Sequence, residues 1–185
     1  MAESDRFRWN QRYANESNRV DAAPVWLEEV DDDIPRNGSA LDIAAGSGRV
    51  ALWLAARGLE VTAVDISSVG LELVLQDAKA KGVHVETLQA DLEVDPLPDG
   101  PFDVITCFHY RQTDLFPFIR QRLRMGGVLI AEMATVSNLE RHPHPSLRYL
   151  SAAGELRLIS APLEIVHYQE GWFDDHALAR VMARK

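Results

Sequence analysis

Two glycines and an acid form the clearest chemical pattern in the sequence, in "LDIAAGSGRVALWLAARGLEVTAVDIS" from residue 41 to residue 67. Gly46 and Gly48 stand between an apolar run and a segment of helical period, where they allow a tight turn and the close approach of a ligand to a helix N-terminus. Asp65 ends the next β-like run, so its carboxylate is placed to accept hydrogen bonds from both hydroxyls of a ribose. The pattern predicts that this turn binds a nucleotide-like cofactor.

Two further acids bear on which nucleotide the turn binds. With Ala51 the turn also satisfies the G-x-G-x-x-G/A pattern of NAD-binding proteins, so NAD is one alternative. Asp42 precedes the turn, where its negative charge would repel a pyrophosphate and attract a cationic group. Asp91, in "QADLE", is placed to accept a hydrogen bond from an exocyclic amine such as adenine N6. The acids therefore favour a methyl donor that carries positive charge over NAD.

Short β-rich runs alternate with segments of helical period, which is typical of an α/β fold. The predicted strands cover 41–43, 59–64, 83–89, 102–108 and 126–133, and the predicted helices run from Gly48 to Gly58, from Ser67 or Ser68 to Gly82, and along Leu115, Ile119 and Leu123. The last two β-like runs, 163–169 and 176–184, are joined by only six residues, too few for a crossover helix. We therefore expect a doubly wound, mostly parallel, seven-stranded sheet with a C-terminal antiparallel hairpin.

The length of 185 residues predicts one domain over 1–185. Within it we expect an N-terminal helical cap over 1–38 with helices at 4–16 and 23–30, a cofactor-binding core over 39–134, and an acceptor-side loop, helix and hairpin over 135–185. Such a chain leaves no room for the separate substrate domain that dehydrogenases usually append, which again counts against NAD.

Composition excludes several classes of function. The net charge of −9 disfavours non-specific binding to nucleic acid or to an anionic membrane, so we expect a small-molecule substrate. The single cysteine, Cys107, cannot form an intramolecular disulfide, and in a buried strand it is expected to act only as a small apolar residue. No apolar run approaches the roughly 18 residues of a membrane span, and the N-terminus lacks a secretory signal. We expect a cytoplasmic protein and leave its oligomeric state open.

In order along the chain, these motifs resemble those of the class I S-adenosylmethionine-dependent methyltransferases. "LDIAAGSG" resembles their first motif, "VDIS" the second, "QADL" the third, "FDVITCFHY" the fourth, and "LRMGGVLIAEM" their Gly-Gly turn into strand five. The stretches "WNQRYA", "HYRQTDLFPFIRQRLRMGGVLIAE" and "EIVHYQEG" are similar to small bacterial methyltransferases of the tellurite-resistance type. The resemblance implies S-adenosylmethionine as cofactor and S-adenosylhomocysteine as product.

The resemblance also implies a role for individual residues around the methionine end of the cofactor. Gly46 and Gly48 would pack against the methionine part, and Asp42 would help to hold its ammonium, directly or through a water. Arg12 and Tyr13 would contact the methionine carboxylate. The chain has Ala44 and Ala45 where the family often has glycine and cysteine, but both are small and the turn should survive.

At the nucleoside end the resemblance implies a second set of contacts. Asp65 would bind the ribose hydroxyls, Ile66 would cover one face of the adenine, and Asp91 would bind its amine. The Leu92 amide would meet a ring nitrogen, and Phe108 would lie beside the donor. Other readings stay open, since Asp42 and Asp91 could instead cap backbone amides, and Arg12 and Tyr13 could belong to an ordinary amphipathic helix.

Three residues that follow the fourth strand are candidates for the chemistry of methyl transfer. His109 could act as a base toward an amine or phenol, and Arg111 could hold an anionic acceptor, with Tyr110 between them. An already ionised thiol or oxyanion would need no base. The alternative is a solvent-facing turn without a catalytic role.

The long connection "NLERHPHPSLRYL", residues 138–150, is predicted to form the acceptor-side wall. Arg141, Arg148 and Tyr149 could select an acidic substrate or be ordinary surface residues. His142 and His144 lack an acidic or cysteine companion at ligand spacing, so we expect no metal. The favoured function is a small-molecule methyltransferase acting on a thiol, an oxyanion or a small acid. The alternatives are a non-catalytic protein that binds or senses S-adenosylmethionine and, less favoured, a nicotinamide-dinucleotide-binding protein.

Overall fold

A computed structural model describes residues 2–15 and 22–185. Its centre is one seven-stranded sheet in the order β3-β2-β1-β4-β5-β7-β6. The strands are β1 (Ser39–Ile43), β2 (Glu60–Asp65), β3 (Val85–Gln89), β4 (Phe102–Phe108), β5 (Leu123–Ala134), β6 (Glu164–Phe173) and β7 (His176–Arg184). Strands β1 to β5 are parallel, and β7 runs antiparallel to both β5 and β6. This topology confirms the predicted fold class.

The order of the strands reverses at β1, whose neighbours are β2 and β4. In doubly wound sheets such a switch point opens a crevice at the carboxyl ends of the strands, where ligands bind. Asp42 lies near the carboxyl end of β1, Asp65 ends β2, and Phe108 ends β4. The fold therefore brings three of the predicted site residues to one edge of the sheet.

Helices cover both faces of the sheet: α1 (Ala2–Ala14), α2 (Trp26–Glu29), α3 (Arg49–Ala56), α4 (Ser68–Lys81), α5 (Phe116–Arg122) and α6 (Glu155–Ser160). One apolar core contains Trp26, Leu54 and Val74 from α2, α3 and α4, and a second contains Ile119 and Leu156 from α5 and α6. Strand residues contribute to both cores because neighbouring side chains of a strand point to opposite faces. None of the helices within residues 2–15 and 22–185 is long and apolar enough to cross a membrane.

The predicted ends of helix α4 are confirmed by its capping contacts. Ser67 is the N-cap, and its hydroxyl accepts a hydrogen bond of 3.0 Å from the Gly70 amide. Gly82 follows the last turn in the left-handed conformation that favours glycine. Gly48, also left-handed, precedes α3 at Arg49.

Several element boundaries differ from the prediction by a few residues, and two of the differences have a clear cause. The helix expected to include Leu123 ends at Arg122, because Leu123 already pairs with Phe102 and begins the twelve-residue strand β5. The six-residue link expected in the C-terminal hairpin shortens to Asp174 and Asp175, since β6 continues in register with β7 as far as Phe173. The end of the helix predicted over 4–16 lies outside the described residues.

Gly70 has a packing role that the sequence analysis did not identify. A Cβ atom at this position would lie 2.7 Å from the Gly46 carbonyl oxygen and 3.1 Å from the Tyr13 ring. The first turn of α4 can therefore approach the glycine turn only because residue 70 has no side chain.

We predict that Gly70→Ala lowers the free energy of unfolding by about 1–3 kcal/mol, because the added methyl group overlaps a backbone atom. Without that overlap, alanine in a helix should be the more stable residue by roughly 1 kcal/mol. Urea unfolding measures the difference, with the exposed Gln76→Ala in the same helix as control. A stabilised Gly70→Ala variant would contradict the proposed contact.

Candidate active site

A cavity of about 630 Å³ lies at the switch point of the sheet, within the range of roughly 300–1,000 Å³ that is usual for small-molecule sites. Its wall is formed by the carboxyl ends of β1, β2 and β4, the glycine turn, helix α1 and part of the loop after β5. Thirteen of the predicted site residues line it: Arg12, Tyr13, Asp42, Ala44, Gly46, Asp65, Ile66, Asp91, Leu92, Phe108, His109, Tyr110 and Arg111. The structure thus brings nearly all of them to one place.

Gly48 is the predicted cofactor residue that does not line this cavity. A Cβ atom on Gly48 would lie 2.7 Å from the Val74 side chain, on the side of α4. Its left-handed backbone, with φ of 87°, starts helix α3. Gly48 therefore shapes the turn and its packing, and its predicted contact with the methionine part of the cofactor stays a prediction.

Asp42 is a buried carboxylate with one unused oxygen. Its Oδ1 atom accepts a hydrogen bond of 2.7 Å from the Thr106 hydroxyl, whereas Oδ2 has no hydrogen-bond partner among the described residues. Burial raises the pKa of Asp42 from its ordinary value of 3.8 to about 7, although the Thr106 hydroxyl, the Ala51 amide and the nearby Arg49 act in the opposite direction. The Ala51 amide agrees with the predicted capping alternative for Asp42, and the Oδ2 atom can still accept a donor from a ligand.

Asp65 connects the glycine turn to the start of α4. Its Oδ2 atom accepts a hydrogen bond from the Gly46 amide and its Oδ1 atom one from the Ser67 amide, both of 2.8 Å. Burial raises the pKa of Asp65, and these amides work against that rise. Each carboxylate oxygen has two lone pairs, so the predicted ribose contact would be made in addition to these structural bonds.

Asp91 also has one engaged and one unused carboxylate oxygen. Its Oδ1 atom accepts a hydrogen bond of 3.0 Å from the Glu93 amide, as in the predicted capping alternative. Its Oδ2 atom is buried and has no partner within the described part of the chain. Gln112 fixes the next residue by donating a hydrogen bond of 2.9 Å to the Leu92 carbonyl.

Helix α1 forms the outer wall of the cavity. The Tyr13 hydroxyl lies over Gly46, where it would be 2.5 Å from a Cβ atom, and the Tyr13 ring stacks on Trp9 at 5.7 Å. Asn10 accepts a hydrogen bond of 2.6 Å from the Ser67 hydroxyl. Across the opening, Arg8 donates a hydrogen bond of 3.1 Å to the Tyr149 hydroxyl. Helix α1 thus spans the site from the glycine turn to the loop after β5.

His109 directly follows β4 in a left-handed conformation, with φ of 56°. Its ring lines the cavity and its Nε2 atom lies 3.2 Å from Glu132 Oε1. The His109 side chain is 46% exposed. Its pKa is lowered, with partial desolvation by the surrounding protein as the largest cause, and the Glu132 carboxylate acts in the opposite direction. The lowered pKa favours the neutral ring, which can accept a proton.

Arg111 and Tyr110 make contacts within the protein. The Arg111 guanidinium donates hydrogen bonds of 2.7 and 3.0 Å to the two oxygens of Glu155 and a third of 3.2 Å to the Arg148 carbonyl. These bonds occupy the fork expected to hold an anionic acceptor, so Arg111 is a structural cation here. The Tyr110 hydroxyl donates to Gln112, and burial raises its pKa, which keeps it protonated.

Only the end of the 138–150 loop reaches the cavity, through Arg148 and Tyr149. Arg141 stacks instead on Trp172, 3.7 Å from the ring centre. The His142 ring lies 2.8 Å from the Asp175 carbonyl. The predicted acceptor-side wall is therefore narrower than the sequence indicated.

The sequence analysis missed several residues that shape the site: Trp9, Arg49, Thr106, Glu132, Gln112, His176 and Arg180. Arg49 had a local signal, because it follows Gly48 at the start of α3 and lines the cavity. Glu132 also had a signal in the sequence, because a buried carboxylate in an otherwise apolar strand needs a hydrogen-bond or ion-pair partner. Arg180 supplies that partner, and only the antiparallel pairing of β7 with β5 reveals it.

The residues present fit the cofactor that the motifs predict. Asp42, in β1, and Asp91, in the segment after β3, both line the cavity, and each has a buried carboxylate oxygen, Oδ2, with no hydrogen-bond partner in the described chain. S-adenosylmethionine carries an ammonium and an exocyclic amine, which are the donors that such oxygens need.

Residues 40–127 match the family described as "Methyltransferase domain". A curated relative, the ubiquinone biosynthesis O-methyltransferase of Marinobacter nauticus, is 32% identical over 132 residues, which cover 66% of this chain and 53% of that protein. The aligned parts of the first curated relatives span between 31% and 53% of their lengths.

Solved structures share the fold. TehB from Haemophilus influenzae matches with a TM-score of 0.76 at 17% identity, covering 96% of this chain and 67% of that one. The N-methyltransferase NodS of Bradyrhizobium japonicum, solved with S-adenosylhomocysteine, matches with a TM-score of 0.73 at 17% identity over 97% of both chains. The domain match over residues 40–127 and the shared fold both support the resemblance of this chain to the class I S-adenosylmethionine-dependent methyltransferases.

Proposed function

We propose that the protein transfers a methyl group from S-adenosylmethionine to a small-molecule acceptor by in-line displacement. The observation that carries this proposal is the pair of partnerless carboxylate oxygens on Asp42 and Asp91 in one cavity. They match the two ends of the cofactor, whereas a pyrophosphate would meet the Asp42 carboxylate beside the turn. A curated relative named for O-methylation in ubiquinone biosynthesis supports a small-molecule acceptor.

The cofactor supplies a methyl group that its positive sulfur has already activated. The protein then has to position the acceptor in line with that group and exclude water. Helix α1 and Tyr149 close the outer side of the cavity, and the neutral His109 ring lies on its inner wall. Localisation in the cytoplasm stays a prediction from the sequence.

Calorimetric titration with S-adenosylmethionine and S-adenosylhomocysteine tests the cofactor side of this proposal, with NAD and NADP as controls. We predict saturable binding of the two sulfur compounds alone. Turnover is then measured with a panel of phenols, amines, thiols and tellurite. Binding without turnover of any acceptor would favour the sensing alternative, and binding of NAD would overturn the proposal.

Asp91→Asn tests the contact with the adenine amine. The variant keeps the Oδ1 acceptor for the Glu93 amide and can replace the unused oxygen by an NH₂ group, which donates instead of accepting. We predict that the Kd for S-adenosylhomocysteine rises by about 10- to 100-fold, because the new side-chain NH₂ group and the adenine amine are both donors and cannot bond to each other. Asp99→Asn, at a side chain that is 95% exposed, is the control. An unchanged Kd would remove Asp91 from the site.

Asp42 predicts a pH dependence of cofactor binding. Its pKa of about 7 means that the free protein holds a proton there in mildly acidic solution, and an ammonium ligand must displace that proton. Affinity should therefore rise by up to about tenfold per pH unit below about pH 7 and level off above it.

The matched variant for this test is Asp42→Asn, which has no titrating carboxyl group. Its affinity for S-adenosylhomocysteine should be low and nearly constant between about pH 5.5 and pH 8. The free energy of unfolding gives an independent check. Since folding raises the Asp42 pKa, the wild-type protein should lose stability relative to Asp42→Asn as the pH rises from about 4 to about 7. Parallel profiles of the two proteins would contradict the assignment.

A further inference from the structure

Three side chains form a continuous row across the neighbouring strands β4, β5 and β7. The register pairs Phe108 with Glu132 and Glu132 with Arg180, and His109 follows Phe108 directly. His109 and Arg180 therefore flank the Glu132 carboxylate from its two sides. The row extends from the cavity wall into the interior of the sheet.

Glu132 holds His109 through its backbone and its side chain. The His109 amide donates a hydrogen bond of 2.8 Å to the Glu132 carbonyl, and the ring nitrogen Nε2 lies 3.2 Å from Glu132 Oε1. The left-handed backbone of His109 is uncommon outside glycine, although histidine adopts it more readily than most residues. With the amide fixed in this conformation, one ring nitrogen lies beside the carboxylate.

The second Glu132 oxygen is occupied by Arg180. Its Nε atom donates a hydrogen bond of 2.8 Å to Oε2, and the guanidinium stacks 3.8 Å from the centre of the Phe173 ring. Glu132 is 2% exposed. The Arg180 guanidinium supplies the opposite charge that a carboxylate at this depth needs.

An ionised carboxylate beside Nε2 favours the tautomer that carries its proton on Nε2. The lone pair of the neutral ring is then on Nδ1. We propose that Glu132 is a positioning residue that holds His109 in this tautomer, and that Nδ1 takes the proton from an acceptor with a hydroxyl or amino group. This inference rests on the proposed methyl transfer and specifies its acceptor class.

The proton and electron pairs balance in a single displacement. The O–H or N–H bond of the acceptor breaks as its proton passes to Nδ1, and the electron pair left on oxygen or nitrogen forms the new bond to the methyl carbon. The electron pair of the carbon–sulfur bond returns to sulfur, which becomes neutral. His109 ends protonated on both ring nitrogens beside the Glu132 carboxylate and then releases the proton to solvent.

The charges around His109 suit this role. The groups that face the ring are Glu132, which raises its pKa, and Arg49, His176 and Arg180, which lower it together with burial as the largest cause. The net effect lowers the His109 pKa and so favours the neutral ring.

The experiment compares the wild-type protein with Glu132→Gln by NMR titration of the histidine rings in the presence of S-adenosylhomocysteine. We expect the His109 pKa to fall in the variant, because the anion that raises it is gone, and the ¹⁵N shifts to lose the preference for the Nε2-protonated tautomer. The matched control is Asp33→Asn, since Asp33 also contacts a histidine and an arginine, His167 at 2.9 Å and Arg184 at 3.6 Å, outside the cavity.

Turnover gives the second readout, with catechol and aniline as acceptors that carry a proton and tellurite as an acceptor that is already an anion. In Glu132→Gln, kcat with catechol or aniline should fall by about 10- to 100-fold with little change in KM. The acidic limb of its pH profile should move to lower pH. Rates with tellurite, if it is accepted, should stay as in the wild type, and Asp33→Asn should match the wild type throughout.

A second variant tests the inference if Glu132→Gln does not fold. The double variant Glu132→Gln/Arg180→Met removes both charges of the buried ion pair, a change that such sites often tolerate. We expect the same changes in the His109 pKa and tautomer in this double variant. An unchanged His109 pKa and tautomer in a folded variant overturns the inference. Failure of the wild-type protein to bind S-adenosylhomocysteine overturns the proposed function instead, so the two failures are distinct.

Discussion

The carboxylate of Asp65 is the contact on which the rest of the site depends. It accepts one hydrogen bond from the turn after β1 and one from the start of α4, so a single buried group sets the distance between two segments that are far apart in sequence. Each of those amides would otherwise be buried without a partner, at a cost of about 1–3 kcal/mol. The absence of a side chain at Gly70 lets the two segments come close enough to share it.

Charge compensation is the second organising feature of the cavity. Arg111 pairs with Glu155, Arg8 with Asp5, and Arg180 with Glu132. Unlike these paired charges, Asp42 and Asp91 each have one carboxylate oxygen with no hydrogen-bond partner among the described residues. A folded protein pairs almost all its buried polar atoms, so unpaired atoms on a cavity wall mark the positions where a ligand supplies the missing donors.

Local sequence signals predicted the sheet and most of the cofactor side. Period-two and helical patterns located the strands and helices, and capping residues such as Ser67 and Gly82 located the ends of α4. The acids at strand ends were predictable because parallel strands bring their carboxyl ends to one edge. Contacts between distant segments were not predictable. Nothing near Arg111 in the sequence indicates its ion pair with Glu155, and nothing near Glu132 indicates its ion pair with Arg180. The packing of Gly48 against Val74 was not predictable either, because a glycine that faces a helix and one that faces a ligand produce the same sequence pattern.

Helix α1 differs from the other walls of the cavity in how it is attached. None of its described side chains is fully buried, and Phe7 is 64% exposed. Its attachment relies on Asn10 at Ser67, Tyr13 over the turn, and Arg8 at Tyr149. Segments with so little buried apolar surface open at a small fraction of the global free energy of unfolding. The sheet therefore fixes the inner shape of the cavity, and we expect the weakly anchored helix α1 to open locally while the sheet stays folded.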